Sequence, residues 1–82
     1  MKVNINLFVP AIGEKYDVLV PIFLTIEELV PLLASAVEEI SNKNYISSNN
    51  EFLCCNDISQ LLFSQKTFED YQIKNGDCII MI

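Results

Sequence analysis

Only one stretch of the chain carries helical periodicity, "TIEELVPLLASAVEEIS" at residues 25–41. Ile26, Leu29, Val30, Leu33, Val37 and Ile40 recur at three- and four-residue spacing, while Glu27, Glu28, Ser35, Glu38 and Glu39 fall on the opposite side. A lone helix cannot bury such a stripe against itself, and no second helical pattern exists to receive it. The remaining solution is a sheet. Thr25 and Glu28 stand at capping-box spacing, so the helix is expected to begin at Thr25. Pro31 lies past the first turn, where it removes one helical hydrogen bond. The helix is therefore expected either to bend at Pro31 or to become regular close to it.

The material for a sheet lies on both sides. Val3, Ile5, Leu7 and Val9 alternate with polar residues, which is the period of a half-buried strand. Pro10 ends that run, and "PAIGE" turns the chain into a second alternation in which Tyr16, Val18 and Val20 oppose Asp17 and Leu19. The Asn- and Ser-rich stretch at 41–51 reads as a loop within one fold, so residues 1–82 are expected to form a single domain. Beyond it, "EFLCC" (51–55) predicts a short strand and "LLF" (61–63) a shorter one. Thr67 and Asp70 predict a tight helical turn, "KNGD" a turn with Gly76 at positive φ, and residues 78–82 a final strand. Strand, strand, helix, strand, short strand, strand predicts an α+β fold: a mixed sheet with one main helix packed across one face.

Charge narrows the function classes. Five Lys, no Arg and eleven acids give a net charge of −6. Phosphate binding requires clustered cations, so nucleic acid and anionic membrane surfaces are poor partners. No apolar run approaches the ~20 residues of a membrane span, and the alternating start lacks the apolar core of a signal peptide. A cytoplasmic protein with no direct membrane insertion is expected. Cys54, Cys55 and Cys78 lack metal-ligand spacing and there is no His, so neither metal nor cofactor is expected and the thiols are read as free. Without His or Arg there is no ordinary base for a nucleophile and no phosphate-reading fork, and no catalytic residue is assigned.

The order of elements and several residues resemble the ubiquitin β-grasp superfold. "GEKYDVLVPIFLTIEELVPLL" is similar to the ubiquitin second strand and helix, and "KTFEDYQI" to the turn preceding its last strand. That resemblance implies that Tyr71 braces the preceding loop and that Ile73 enters the core. Within the superfold, "DYQIKNGDCIIMI" resembles the YukD/EsaB family, ubiquitin-like accessory proteins of type VII (WXG100, ESX-like) secretion systems in Firmicutes. Asp70, Ile73, Gly76 and Asp77 occupy its D-x-x-I-x-x-G-D turn. "ELVPLL" is also similar to the helix of a ubiquitin-like domain in a membrane component of actinobacterial ESX systems. The family resemblance implies a non-enzymatic protein that supports export by touching cytosolic parts of the membrane machinery at the inner face of the membrane. Modifiers and sulfur carriers of this superfold use a mobile Gly-Gly tail. The chain instead reaches Ile82 within a strand, so neither conjugation nor sulfur transfer is expected. A free-standing β-grasp adaptor or a homodimer is the alternative.

Two surfaces are candidates for contact. In the ubiquitin register, Ile79 and Met81 point inward while Ile80 and Ile82 point outward, beside apolar residues of the 51–55 strand such as Leu53 and Cys55. The register of that strand stays open, because a slip of one residue exchanges inside for outside. The second surface is the acidic side of the helix, Glu27, Glu28, Glu38 and Glu39, a docking face for a basic segment.

Overall fold

The computed structural model describes all 82 residues. Strands β1 (Lys2–Val9) and β2 (Glu14–Pro21) form an antiparallel hairpin in which Lys2 faces Pro21 and Val9 faces Glu14. Helix α1 follows at Ile26–Ile40, then β3 (Leu53–Cys55) and β4 (Cys78–Met81). The sheet order is β2-β1-β4-β3, with β1 and β4 parallel at its centre and β3 antiparallel at one edge. This is the mixed sheet with a single main helix that the patterns predict.

The alternation decides the layers. Val3, Ile5, Leu7 and Val9 of β1 and Ile79 and Met81 of β4 enter one buried cluster with Ile26, Leu29, Leu33, Ala34 and Val37 of α1. Each Val, Leu, Ile or Met side chain among them contributes about 1.5–3 kcal/mol through apolar area removed from water. Ile40 lies on the same stripe by spacing, yet it is exposed. It is the last helical residue, a turn beyond Val37, the last buried member of the stripe.

All four orphan amides at the start of α1 find acceptors. Ile26 and Glu27 donate to the carbonyls of Lys66 and Ser64, Glu28 to the Thr25 hydroxyl at 3.2 Å, and the Thr25 amide to the Glu28 carboxylate. Glu28 answers by accepting from the Thr25 amide at 2.9 Å, and these Thr25 bonds hold its carboxyl below the ordinary glutamate range. Thr25→Ala removes the hydroxyl that accepts from the Glu28 amide, leaves the backbone half of the pair, and is expected to cost about 1 kcal/mol. In a domain of this size that lowers the thermal midpoint by roughly 4–8 °C. Such a start makes Pro31 tolerable: α1 begins five residues before it and continues unbroken to Ile40.

Residues 61–63 do not form the expected strand. Leu61 makes one isolated bridge with Cys54, tied by Cys55 N–H to the Gln60 carbonyl and Leu62 N–H to the Leu53 carbonyl. Beyond Leu62 the chain leaves β3 to cap α1, which ends the pairing. Tyr71 accepts from the Phe63 amide at 2.8 Å through its hydroxyl, and Thr67 and Asp70 exchange backbone-to-side-chain bonds of 3.0 Å. Gly76 sits at φ +90°, where its amide donates to the Asn4 carbonyl and docks the last turn onto β1.

Candidate functional site

The outer sheet face is where the sequence places Ile80 and Ile82. Residues facing each other across strands share a face, so Lys15, Phe8, Ile80 and Cys54 cross the sheet as one row. Ile80 does point outward, but only 8% of it is exposed. It stands between Phe8 and Cys54 on a central strand, and the Lys15 ammonium lies 5.7 Å from the Phe8 ring centroid. Ile80 therefore gives little area to a partner. Ile82 is 49% exposed, and its backbone exchanges two hydrogen bonds with Phe52, itself 56% exposed.

The open register of β3 is resolved by its pairing. Leu53 faces Met81 and is fully buried in the core, and Cys55 faces Ile79, partly buried against the same core. Leu53 and Cys55 thus turn away from the outer face, and a candidate surface containing Leu53 is corrected by its burial. Phe52 and Cys54 occupy the outer face instead. Phe52 is not among the residues expected there, although its alternation with Leu53 carried that option.

The four helix acids divide. Glu28 is engaged in the cap, and Glu39 is exposed. At ~100° per residue, Glu27, Pro31 and Glu38 share one flank of α1. That flank faces the loop after the helix across a cleft of about 410 Å³ lined by Glu27, Pro31, Ser35, Glu38, Ser47 and Glu51. Glu38 accepts from the Ser47 amide at 2.9 Å, which ties the loop to the helix. At the N-terminal half of α1 the cleft meets an apolar groove of about 280 Å³, with Val30 and Glu51 lining both. Ile26, Phe52, Leu61, Leu62 and Phe63 supply its walls.

Glu51 is 7% exposed, and its Oε2 accepts from the Tyr45 hydroxyl at 2.6 Å and the Ser48 amide at 2.8 Å. Burial alone would raise its pKa; the bonds from Tyr45 and Ser48 outweigh burial and hold the carboxyl below its ordinary value. Burial first, then the bond to Glu51, pushes the Tyr45 hydroxyl up. The three cysteines are free thiols. Burial raises Cys54 and Cys55, with Asp57 adding to the first and Asp77 and Cys78 to the second, so neither thiol is activated as a nucleophile. No three His, Cys, Asp or Glu side chains converge as metal ligands, and no helix is long and apolar enough to cross a membrane.

No family model matches the chain, and no match is found among curated proteins. Solved structures do match. The ubiquitin-like domain of Dsk2 from Plasmodium falciparum is 15% identical at a TM-score of 0.68, with 100% of each chain covered. The ubiquitin-like domain of EccD1, a type VII secretion protein of Mycobacterium tuberculosis, is 11% identical at a TM-score of 0.69, covering 100% of this chain and 98% of that one. A chain of an ESX-5 inner membrane complex is 15% identical at a TM-score of 0.73, covering 99% of this chain and 20% of that one. At such identities the likeness establishes architecture, and the chain has the ubiquitin-like β-grasp fold.

Proposed function

We propose that the chain is a protein-contact module of a type VII secretion system, an accessory of the YukD/EsaB kind that works by binding and not by catalysis. Its partners are cytosolic parts of the membrane components of that system. The observation that carries this reading is the end-to-end likeness to the EccD1 ubiquitin-like domain, taken together with Asp70, Ile73, Gly76 and Asp77 in the family turn. The raised thiols and the absence of histidine from the sequence favour contact over chemistry. Ile82 and the neighbouring Phe52 are the sheet-face residues with area to give, and Glu27 and Glu38 supply a second, acidic surface.

Deleting the gene is expected to reduce export of WXG100-type proteins into the medium. Wild-type protein restores export, whereas Phe52→Asp with Ile82→Asp, confirmed folded by circular dichroism, does not. Unchanged export in the deletion strain sinks the secretion reading. Unchanged export with the double variant, against a defective deletion, sinks the assignment of the contact to Phe52 and Ile82 and leaves the secretion reading standing.

A further inference from the structure

The apolar groove and the acidic cleft adjoin along a flank of α1 as two parts of a channel, with Val30 and Glu51 at their shared border. Its apolar part is open to solvent: Phe63 is 66% exposed and Leu61 45% exposed. Exposed aromatic and aliphatic walls around a concavity mark contact sites more often than scattered single residues do. Its polar part is charged in one sense only. Helix α1 carries Glu27, Glu28, Glu38 and Glu39 without a Lys, and residues 44–65 carry Glu51 and Asp57 without a Lys. Neither lining contains a Lys.

An occupant that fills the apolar part and brings N–H donors and positive charge to the other end satisfies both halves.

We infer that this channel is a docking groove for a short protein segment in which apolar residues are followed by Lys or Arg, the apolar side chains seating against Val30, Leu61 and Phe63 and the cation against Glu27 and Glu38. The inference rests on the reading of the chain as a contact module and specifies the chemistry of one partner segment. The groove lies between α1 and residues 47–64, apart from the outer-face row through Phe8 and Ile80. Charge complementarity selects the segment over an acidic or neutral one, and like-charged segments are repelled.

The test pans a random displayed twelve-residue peptide library on the purified 82-residue protein, then measures the selected peptides by fluorescence anisotropy. Selected peptides are expected to combine Leu, Ile or Phe with Lys or Arg. Their affinity should fall roughly tenfold in Glu27→Gln with Glu38→Gln, where glutamine keeps the oxygen that Ser47 donates to, and should fall with rising salt. Phe63→Ser, at an exposed position, should weaken them by a similar factor. Failure to select peptides, selection without basic residues, or equal binding to Glu27→Gln with Glu38→Gln overturns the groove. Sedimentation showing a dimer that Phe63→Ser dissolves would assign the groove to a second copy and overturn it too. Each of these results is independent of the export assay, so the groove can fail while the secretion reading stands, and the reverse.

Discussion

Phe68→Ala is expected to destabilise the protein by about 3–5 kcal/mol, the range for truncating a fully buried aromatic side chain. Phe68 has no exposed surface and is the largest of the fully buried side chains, yet it lies in the turn at 67–72 and in no strand or helix. The turn hangs on α1 through the Thr25–Thr67 bridge and on the chain before it through the Glu69 amide and the Ile22 carbonyl at 3.2 Å. Phe68 is what carries that turn into the core. At roughly 0.05–0.15 kcal/mol per residue, a chain of this length holds about 4–12 kcal/mol in total, so the loss takes a quarter of it or more. Urea unfolding checks it: the midpoint should fall steeply for Phe68→Ala and less for Phe68→Leu. Phe63→Ala, five residues earlier and 66% exposed, should move by less than about 0.5 kcal/mol. Comparable losses at the two positions would refute the assignment of Phe68 to the core.

The contrast between those two phenylalanines shows where sequence reading reaches. Period-two and period-3.6 patterns name residues that share a face with several like neighbours, which is why β1, β2 and the buried stripe of α1 were legible. Phe68 has polar neighbours on both sides, Thr67 and Glu69, and its burial comes from a turn delivering it to a distant core. No local period encodes that. The run "FLCC" had the opposite problem, being apolar at every position, so that only the pairing of Leu53 with Met81 separates inside from outside.

The candidate surface was legible to the same extent. That Ile80 would point outward follows from alternation with Ile79 and Met81. Its burial depends on Phe8 and Cys54, which reach it from strands more than twenty residues away in sequence. The acids on α1 were visible as a run, but their division into a cap residue, a cleft pair and an exposed remainder depends on where the loop at 42–52 lies. Three side chains hold that loop: Ser41 through the Tyr45 amide, Glu38 through Ser47, and Glu51 through the Tyr45 hydroxyl and Ser48.

The second large effect is expected at this tie. Glu51→Ala leaves the buried Tyr45 hydroxyl without its acceptor and the Ser48 amide without its partner. Hydrogen bonds to a charged group are worth roughly 1.5–3 kcal/mol each, so a loss on the order of 3 kcal/mol is expected. Glu51→Gln keeps an acceptor oxygen for both of these donors and forfeits chiefly the charge, so it should cost less than Glu51→Ala. The pH dependence fixes the sign. The folded-state pKa of Glu51 lies below its ordinary value of 4.5, so the stability it supplies is fully present above that value and is lost as pH falls through the folded one. Glu28 and Asp57 are also lowered, by bonds from Thr25 and Ser59, and titrate in the same acid window. They are unchanged in Glu51→Gln, so the difference in unfolding free energy between wild type and that variant isolates Glu51. Measured by urea titration between pH 7 and pH 3, that difference should stay constant down to about pH 5 and then shrink. A difference that holds level to pH 3 would mean that the Tyr45 bond does not depend on the charge at Glu51.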